Sequence, residues 1–251
     1  TQDFILYGGS RRIDFRTTVD WKEKQVFLKV RFPVGIHADE ATYEIQFGSL
    51  KRPTHANTGW DFAKFEVPGH RWADLSESGY GVSLLNDCKY GWDIRGNTIG
   101  LSLLKSAVDP DETADRRIHR FTYSLYPHSG AAADCDVQKE AVGLNLPLLC
   151  RPLTGSGKGP EYEKYSFVRT DSDHVAVDTV KKAEEGRAYV VRLYEYRGRS
   201  DGNVSLRFAH PVRKIAETNL CEEGETEVPV RGGGIRFPIG CFEIKTFKIY
   251  C

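Results

Sequence analysis

Hydrophobic and polar residues alternate with a period of two along most of the chain. Residues 13–19 alternate in this way, and residues 26–32 repeat the pattern after a polar turn. Side chains of a β-strand point alternately to the two faces of a sheet, so the pattern predicts half-buried strands, here paired as a hairpin. The same alternation returns in seven further segments, at residues 43–47, 82–84, 101–103, 121–125, 191–193, 204–208 and 235–239.

Glycine or proline separates nearly all of these segments, and no stretch keeps the 3.6-residue period of an amphipathic helix beyond two turns. The predicted fold class is therefore all-β, with antiparallel sheets packed as sandwiches.

A stretch rich in glycine and serine interrupts the alternation at residues 153–160. We interpret residues 153–165 as a linker between a β domain at residues 1–152 and a small C-terminal β-sandwich at residues 166–251. A long surface loop within one domain is the alternative.

Composition makes some functions improbable. Thirty-five basic residues balance 35 acidic ones, so no attraction to nucleic acid or to an anionic membrane is expected. No apolar run approaches the roughly 20 residues of a membrane-spanning helix. The six cysteines lack the spacing of a metal site and indicate reduced thiols in a cytoplasmic protein, although their even number leaves disulfides open.

Three polar and aromatic segments follow predicted strands, at residues 54–61, 86–93 and 127–128. If successive strands run up and down, all three segments lie at one end of the sheet. Aromatic faces suit the C–H faces of sugars, and polar side chains suit their hydroxyls. The candidate binding residues are His55, Asn57, Trp60, Asp61, Asn86, Asp87, Lys89, Tyr90 and His128. For each residue alone, a turn or core role is the alternative.

No catalytic or metal-ligating residue is predicted in this chain. The His-x-His, His-Glu-x-x-His and Gly-x-Ser-x-Gly patterns do not occur in the sequence. The chain also contains no methionine and begins at Thr1 in the middle of a strand-like pattern, which indicates a part of a longer protein.

Longer runs of sequence resemble a known family in order and spacing. They include HADEATYEIQF at 37–47, GSLKRPTH at 48–55, FEVPGHRWADLSE at 65–77, LLNDCKYG at 84–91, FTYSLYPH at 121–128 and ETNLCEE at 217–223. These runs resemble the C-terminal β region of glycoside hydrolase family 38 α-mannosidases of the cytosolic type.

The resemblance implies an antiparallel supersandwich of the galactose-mutarotase type, followed by a smaller β-sandwich. It further implies a retaining exo-α-mannosidase acting on mannose-containing glycans, whose zinc or other divalent metal and catalytic carboxylates lie on a separate N-terminal domain. The present chain would then be inactive alone, and the nine candidates would contact substrate or that catalytic domain. A homo-oligomer is a further expectation. A stand-alone carbohydrate-binding or structural β-sandwich module is the alternative.

Overall fold

Antiparallel β-sheets make up most of this computed structural model, which describes residues 1–152 and 164–251. The chain divides into two units, Thr1–Leu149 and Cys150–Cys251. The all-β prediction is confirmed. Most of the expected linker at 153–165 lies outside the described residues, so the linker and the domain limits built on it stay predictions.

The first unit contains a seven-stranded and a four-stranded sheet, with two short helices, α1 (Gly59–Ala63) and α2 (Val137–Asn145). Its strands are β1 (Gln2–Leu6), β2 (Ile13–Asp20), β3 (Leu28–Pro33), β4 (Glu40–Ile45), β5 (Gly48–Pro53), β6 (Val67–Pro68), β7 (Trp72–Ser76), β8 (Gly81–Asn86), β9 (Gly91–Arg95), β10 (Thr98–Leu104) and β11 (Ile118–His128). The larger sheet has the order β1-β2-β11-β8-β7-β4-β5, and the smaller one has the order β3-β10-β9-β6.

The core of this unit is made of apolar side chains from both sheets. Tyr43, Leu84, Trp92, Ile99 and Leu101 are almost fully buried within it. These residues occupy alternate positions of β4, β8, β9 and β10, as the two-residue period requires. The alternating apolar residues of this unit therefore lie between two sheets, as the sandwich prediction requires.

Strand β8 is buried on both faces because helix α2 covers the outer face of the larger sheet. Val137 and Ala141 of α2 pack in a second cluster with Trp72 and Leu85. The Trp72 Nε1 donates to Gln138 Oε1 at 2.8 Å, which satisfies a buried donor. The sequence pattern did not predict this helix, because its nine residues make only about two and a half turns.

The predicted hairpin between residues 13–19 and 26–32 is wrong. Strand β2 pairs with β1 and β11 in the larger sheet, whereas β3 pairs with β10 in the smaller one. Both strands alternate correctly, but alternation alone does not determine whether consecutive strands pair or cross to the opposite sheet.

The alternation at residues 43–47 predicts one strand that continues to residue 50, but the chain forms a hairpin of β4 and β5 there. Its turn passes through Phe47, whose φ of 55° lies in the left-handed region. The turn lacks the Asn-Gly or Asp-Gly signal typical of two-residue hairpins, so the sequence pattern did not mark the reversal.

Two reversals that the pattern did not predict, the β4–β5 hairpin and the additional strand β9 between β8 and β10, overturn the expected shared end of the three polar segments. His128 pairs with Gly81 at one end of the larger sheet, while Asn86 lies at the opposite end of the same strand β8. Strand β5 runs toward the His128 end, so residue 54 emerges there and not beside Asn86. The prediction that all three segments lie together is wrong.

The second unit contains a three-stranded sheet of order β12-β15-β18 and a five-stranded sheet of order β13-β14-β19-β16-β17. Its strands are β12 (Val168–Thr170), β13 (Val175–Lys182), β14 (Tyr189–Glu195), β15 (Asp201–Phe208), β16 (Lys214–Thr218), β17 (Thr226–Val228), β18 (Gly234–Ile239) and β19 (Ile244–Tyr250). Leu193, Leu206, Ile215, Ile239 and Phe247 are almost fully buried between these sheets. A second, smaller β-sandwich is thus present.

Candidate functional site

The edge loop, residues 54–66, connects the edge strand β5 of the larger sheet to the edge strand β6 of the smaller sheet. It holds four of the nine candidates, His55, Asn57, Trp60 and Asp61. Thr58 caps helix α1 within it, because its Oγ1 accepts from the Asp61 N–H at 3.1 Å. The same hydroxyl donates to Asp61 Oδ2 at 2.7 Å and lowers the pKa of that carboxyl.

Arg95 at the end of β9 holds the edge loop against the sheets. Its guanidinium donates to the carbonyl oxygens of Lys64 at 2.8 Å and Asp61 at 3.1 Å, and to that of His55 at 3.3 Å. Because one planar guanidinium binds three backbone carbonyl groups, it fixes the path of the loop. The loop conformation is therefore set by polar contacts, since α1 itself contains no buried residue.

Three large aromatic side chains of the edge loop point away from the core. Trp60, Phe62 and Phe65 are 83%, 68% and 72% exposed, and the two phenylalanine rings meet edge to face at 6.1 Å. Leaving apolar rings of this size in water costs free energy, and clusters of them mark interaction surfaces. The edge loop is accordingly the strongest candidate for a contact surface in the first unit.

The cavity beneath the edge loop is too small for a sugar. It measures about 40 Å³ and is lined by loop residues together with Tyr43, Arg52 and Trp92, far below the roughly 300 Å³ where ligand pockets begin. Burial raises the pKa of Tyr43 to about 12, so its hydroxyl stays protonated. This cavity belongs to the packing of the loop.

His55 also borders an open groove of about 660 Å³ on its other side. His37, Asp39, Glu77 and Asn97 line that groove with it. The Glu77 carboxylate accepts from the His37 backbone N–H at 3.2 Å, which orients the acidic wall. Its polar lining and size suit a saccharide better than the small cavity does.

The candidates between residues 86 and 90 lie at the opposite end of the larger sheet. Asn86 is buried, and its Oδ1 accepts from the backbone N–H groups of Cys88 and Lys89 at 3.0 and 2.5 Å. It therefore shapes the turn. Asp87 accepts from a backbone N–H of β11, and the Lys89 ammonium lies 4.6 Å from the centre of an aromatic ring. Of this group, Tyr90 is the exposed aromatic, at 61%.

His128 is buried in a polar cluster and not on the surface. Its Nε2 lies 2.7 Å from Asp74 Oδ2 and 3.2 Å from Ser83 Oγ. Ser76 and Ser83 donate to the two oxygens of Asp74 at 2.7 and 2.6 Å. Burial alone would lower the pKa of His128, but the hydrogen bond to Asp74 and then that to Cys135 outweigh burial and raise the pKa to about 10. The cluster is a buried ion pair at neutral pH.

A charged network on the outer face of the smaller sheet was missed in the sequence. Lys29 Nζ lies 2.5 Å from Glu66 and 3.0 Å from Asp93, and Arg31 contacts the same aspartate. Burial would raise the pKa of Asp93, but Lys29 and then Arg31 lower it overall. Polar residues at alternate positions of β3 and β9 could have indicated this network. The same pattern is equally typical of any sheet face exposed to solvent, so it did not distinguish the two.

Comparison with solved structures establishes the class of fold. The chain superposes on the crystal structure of an α-mannosidase from Enterococcus faecalis V583 with a TM-score of 0.84, at 18% identity. The match covers 98% of this chain and 28% of that protein. A second structure, described as a glycosyl hydrolase family 38 protein from Enterococcus faecalis, gives a TM-score of 0.77. The fold of this chain therefore also occurs within larger proteins.

Sequence comparison identifies the family. Residues 1–113 match the glycosyl hydrolases family 38 C-terminal domain, and residues 174–247 match the family 38 C-terminal beta sandwich domain. The chain belongs to the C-terminal region of glycoside hydrolase family 38, as the resemblance indicated.

Curated relatives are similar along almost the whole chain. Identity is 44% to Alpha-mannosidase G of Dictyostelium discoideum, covering 98% of this chain and 23% of that protein. It is 45% to human Alpha-mannosidase 2C1, covering 88% and 21%, and 53% to Alpha-mannosidase of Saccharomyces cerevisiae, covering 95% and 24%. The chain therefore spans less than a quarter of the length of these relatives.

Proposed function

We propose that this chain is the C-terminal β region of a retaining, metal-dependent exo-α-mannosidase that acts on mannose-containing glycans. In this proposal it supports a catalytic domain located elsewhere in the full-length protein and contributes loops to the wall of the active site. Family membership supports the activity, because three relatives of similar sequence are named α-mannosidases.

The exposed aromatic rings of the edge loop support the structural part of the proposal. Its helix contains no buried residue, yet an arginine, a threonine cap and several backbone contacts hold three exposed aromatic rings in place. Rigid, exposed aromatic groups are typical of the centre of an interface. The proposed partner surface is the catalytic domain beside the bound glycan.

The proposed zinc or other divalent metal would need ligands from outside the described residues. Among residues 1–152 and 164–251, no group of three or more His, Cys, Asp and Glu side chains could hold a metal ion. The residues described here do not fit the metal, and no catalytic step is assigned to them through it.

A cytoplasmic location is part of the proposal. All six cysteines lie within the described residues and none of them forms a disulfide, which is typical of a reducing compartment. No helix in the described part of the chain is long and apolar enough to cross a membrane.

The stereochemistry and metal dependence of the full-length protein test the proposed reaction. We expect α-mannose to be the first sugar product seen by proton NMR during hydrolysis of an α-mannoside, because a retaining enzyme works by two displacements. Incubation with a chelator should abolish the hydrolysis, and added zinc or cobalt should restore it. Release of β-mannose first, or full activity after chelation, would contradict the proposal.

A further inference from the structure

Four arginines lie on one exposed face of the second unit. Arg169 on β12 is directly opposite Arg207 on β15, and Arg236 on β18 is opposite Ser205 of β15. The inward positions of these strands are apolar and buried, so the alternation of side chains sends the arginines outward. Arg231, just before β18, is exposed as well. We call Arg169, Arg207, Arg231 and Arg236 the arginine face.

No side chain among the described residues pairs with the arginine face by an ion pair or a side-chain hydrogen bond. Other arginines of the same unit are engaged: Arg192 donates to Thr246, and Arg197 to Asp173. The nearby carboxylate of Asp171 accepts from the backbone N–H of Ser205 at 2.8 Å. Like charges directly opposite each other on neighbouring strands are unfavourable, so Arg169 and Arg207 destabilise the folded sheet unless an anion neutralises them.

Three of these arginines surround a groove. Arg207, Arg231 and Arg236 line it with Ser205 and the turn at Gly232, and its volume is about 580 Å³. That volume falls within the range of small-molecule sites, roughly 300 to 1,000 Å³. The positive charge is local, because the complete chain has a formal net charge of +0. The face is thus a specific feature and not a consequence of overall basicity.

We propose that this groove binds a small phosphorylated molecule. A guanidinium presents a planar fork of N–H donors that matches the oxygens of phosphate, and a phosphate offers three oxygens to several arginines at once. A single arginine can bind both oxygens of one carboxylate. Three arginines line this groove, which favours a phosphate over a carboxylate as its ligand. The site lies in the second unit, whereas the edge loop of the proposed function belongs to the first.

Binding of pyrophosphate to the complete chain tests the proposal by isothermal titration calorimetry at about 150 mM salt, where general charge attraction is screened. We expect saturable binding with a Kd below about 1 mM. In the double variant Arg207→Gln, Arg236→Gln the affinity should fall at least about tenfold, as expected for the loss of two charge-assisted contacts. The variant Arg187→Gln, which removes an exposed arginine of the same unit outside the groove, should bind as the wild type does.

Several outcomes would overturn the proposal. They are absence of saturable pyrophosphate binding by the wild type, an equal loss in Arg187→Gln, and tighter binding of citrate than of pyrophosphate. Binding of heparin without pyrophosphate would indicate an extended polyanion and would also overturn it. Unchanged circular dichroism melting of the exposed-residue variants confirms that the affinities are compared between folded proteins.

Discussion

Replacing Asp74 by asparagine is expected to lower the free energy of unfolding by about 3–5 kcal/mol, the usual cost of breaking a buried ion pair by removing one partner. The Asp74 carboxylate accepts two serine hydroxyls and contacts His128 at 2.7 Å, and both side chains of the ion pair are almost completely buried. Without the Asp74 carboxylate, His128 must lose its proton or remain charged in an apolar interior. Chemical denaturation followed by fluorescence measures the difference.

The control for this prediction is Asp20→Asn, because Asp20 forms an ion pair with Lys22 at the exposed surface. That change should cost less than about 1 kcal/mol, as for most surface pairs. Equal effects of the two substitutions would contradict the assignment of Asp74 to a buried pair.

The stabilising effect of the pair should also depend on pH. The folded-state pKa of His128, about 10, lies above its ordinary value of 6.5. The contribution is therefore fully present below about pH 6.5 and disappears as pH rises through about 10. The difference in unfolding free energy between wild type and Asp74→Asn should shrink from pH 6 to pH 10. A difference that stays constant or grows over this range would be inconsistent with a charged His128.

Removing the exposed rings of the edge loop is expected to lower the activity of the full-length protein without destabilising this chain. In the full-length protein, the double variant Trp60→Ala, Phe62→Ala should lower kcat/KM for an α-mannoside about 100-fold, since small displacements of a catalytic site have effects of this size. Both side chains are mainly exposed in this chain, so the free energy of unfolding of the isolated chain should change little. Initial rates and thermal melting measure the two effects.

The matched control is Tyr80→Ala, which removes an exposed aromatic ring of the first unit outside the edge loop. Substrates of two lengths separate the proposed roles of the loop. Equal losses for a monosaccharide glycoside and for a mannose oligosaccharide indicate docking of the catalytic domain, whereas a loss confined to the oligosaccharide indicates contact with the glycan. Full activity toward both substrates would rule out either role.

The sequence predicted the architecture well because burial in a two-sided sandwich imposes a two-residue period. It could not predict strand connections, because Phe47 adopts a left-handed turn without a glycine or asparagine signal. The sequence also could not predict which tryptophans are buried and which are exposed. Trp60 and Trp92 are each followed by aspartate, yet one is 83% exposed and the other fully buried. Only the packing of β9 between its neighbours separates them.

The candidate residues divide in the same way. Trp60 and Tyr90 are exposed, as a contact role requires, whereas Asn86 and His128 are buried and organise the fold. Polar side chains at strand ends serve turns, buried ion pairs and ligands alike, and the partners that decide among these roles are distant in sequence. His128 and Asp74 are 54 residues apart.

Hydrolysis of a chromogenic α-mannoside by this chain and by the full-length protein, assayed side by side with and without zinc or cobalt, tests the central claim most directly. We expect hydrolysis by the full-length protein alone, which would locate the catalytic groups outside residues 1–251. Hydrolysis by the isolated chain would contradict the claim and would require catalytic residues within these two β units.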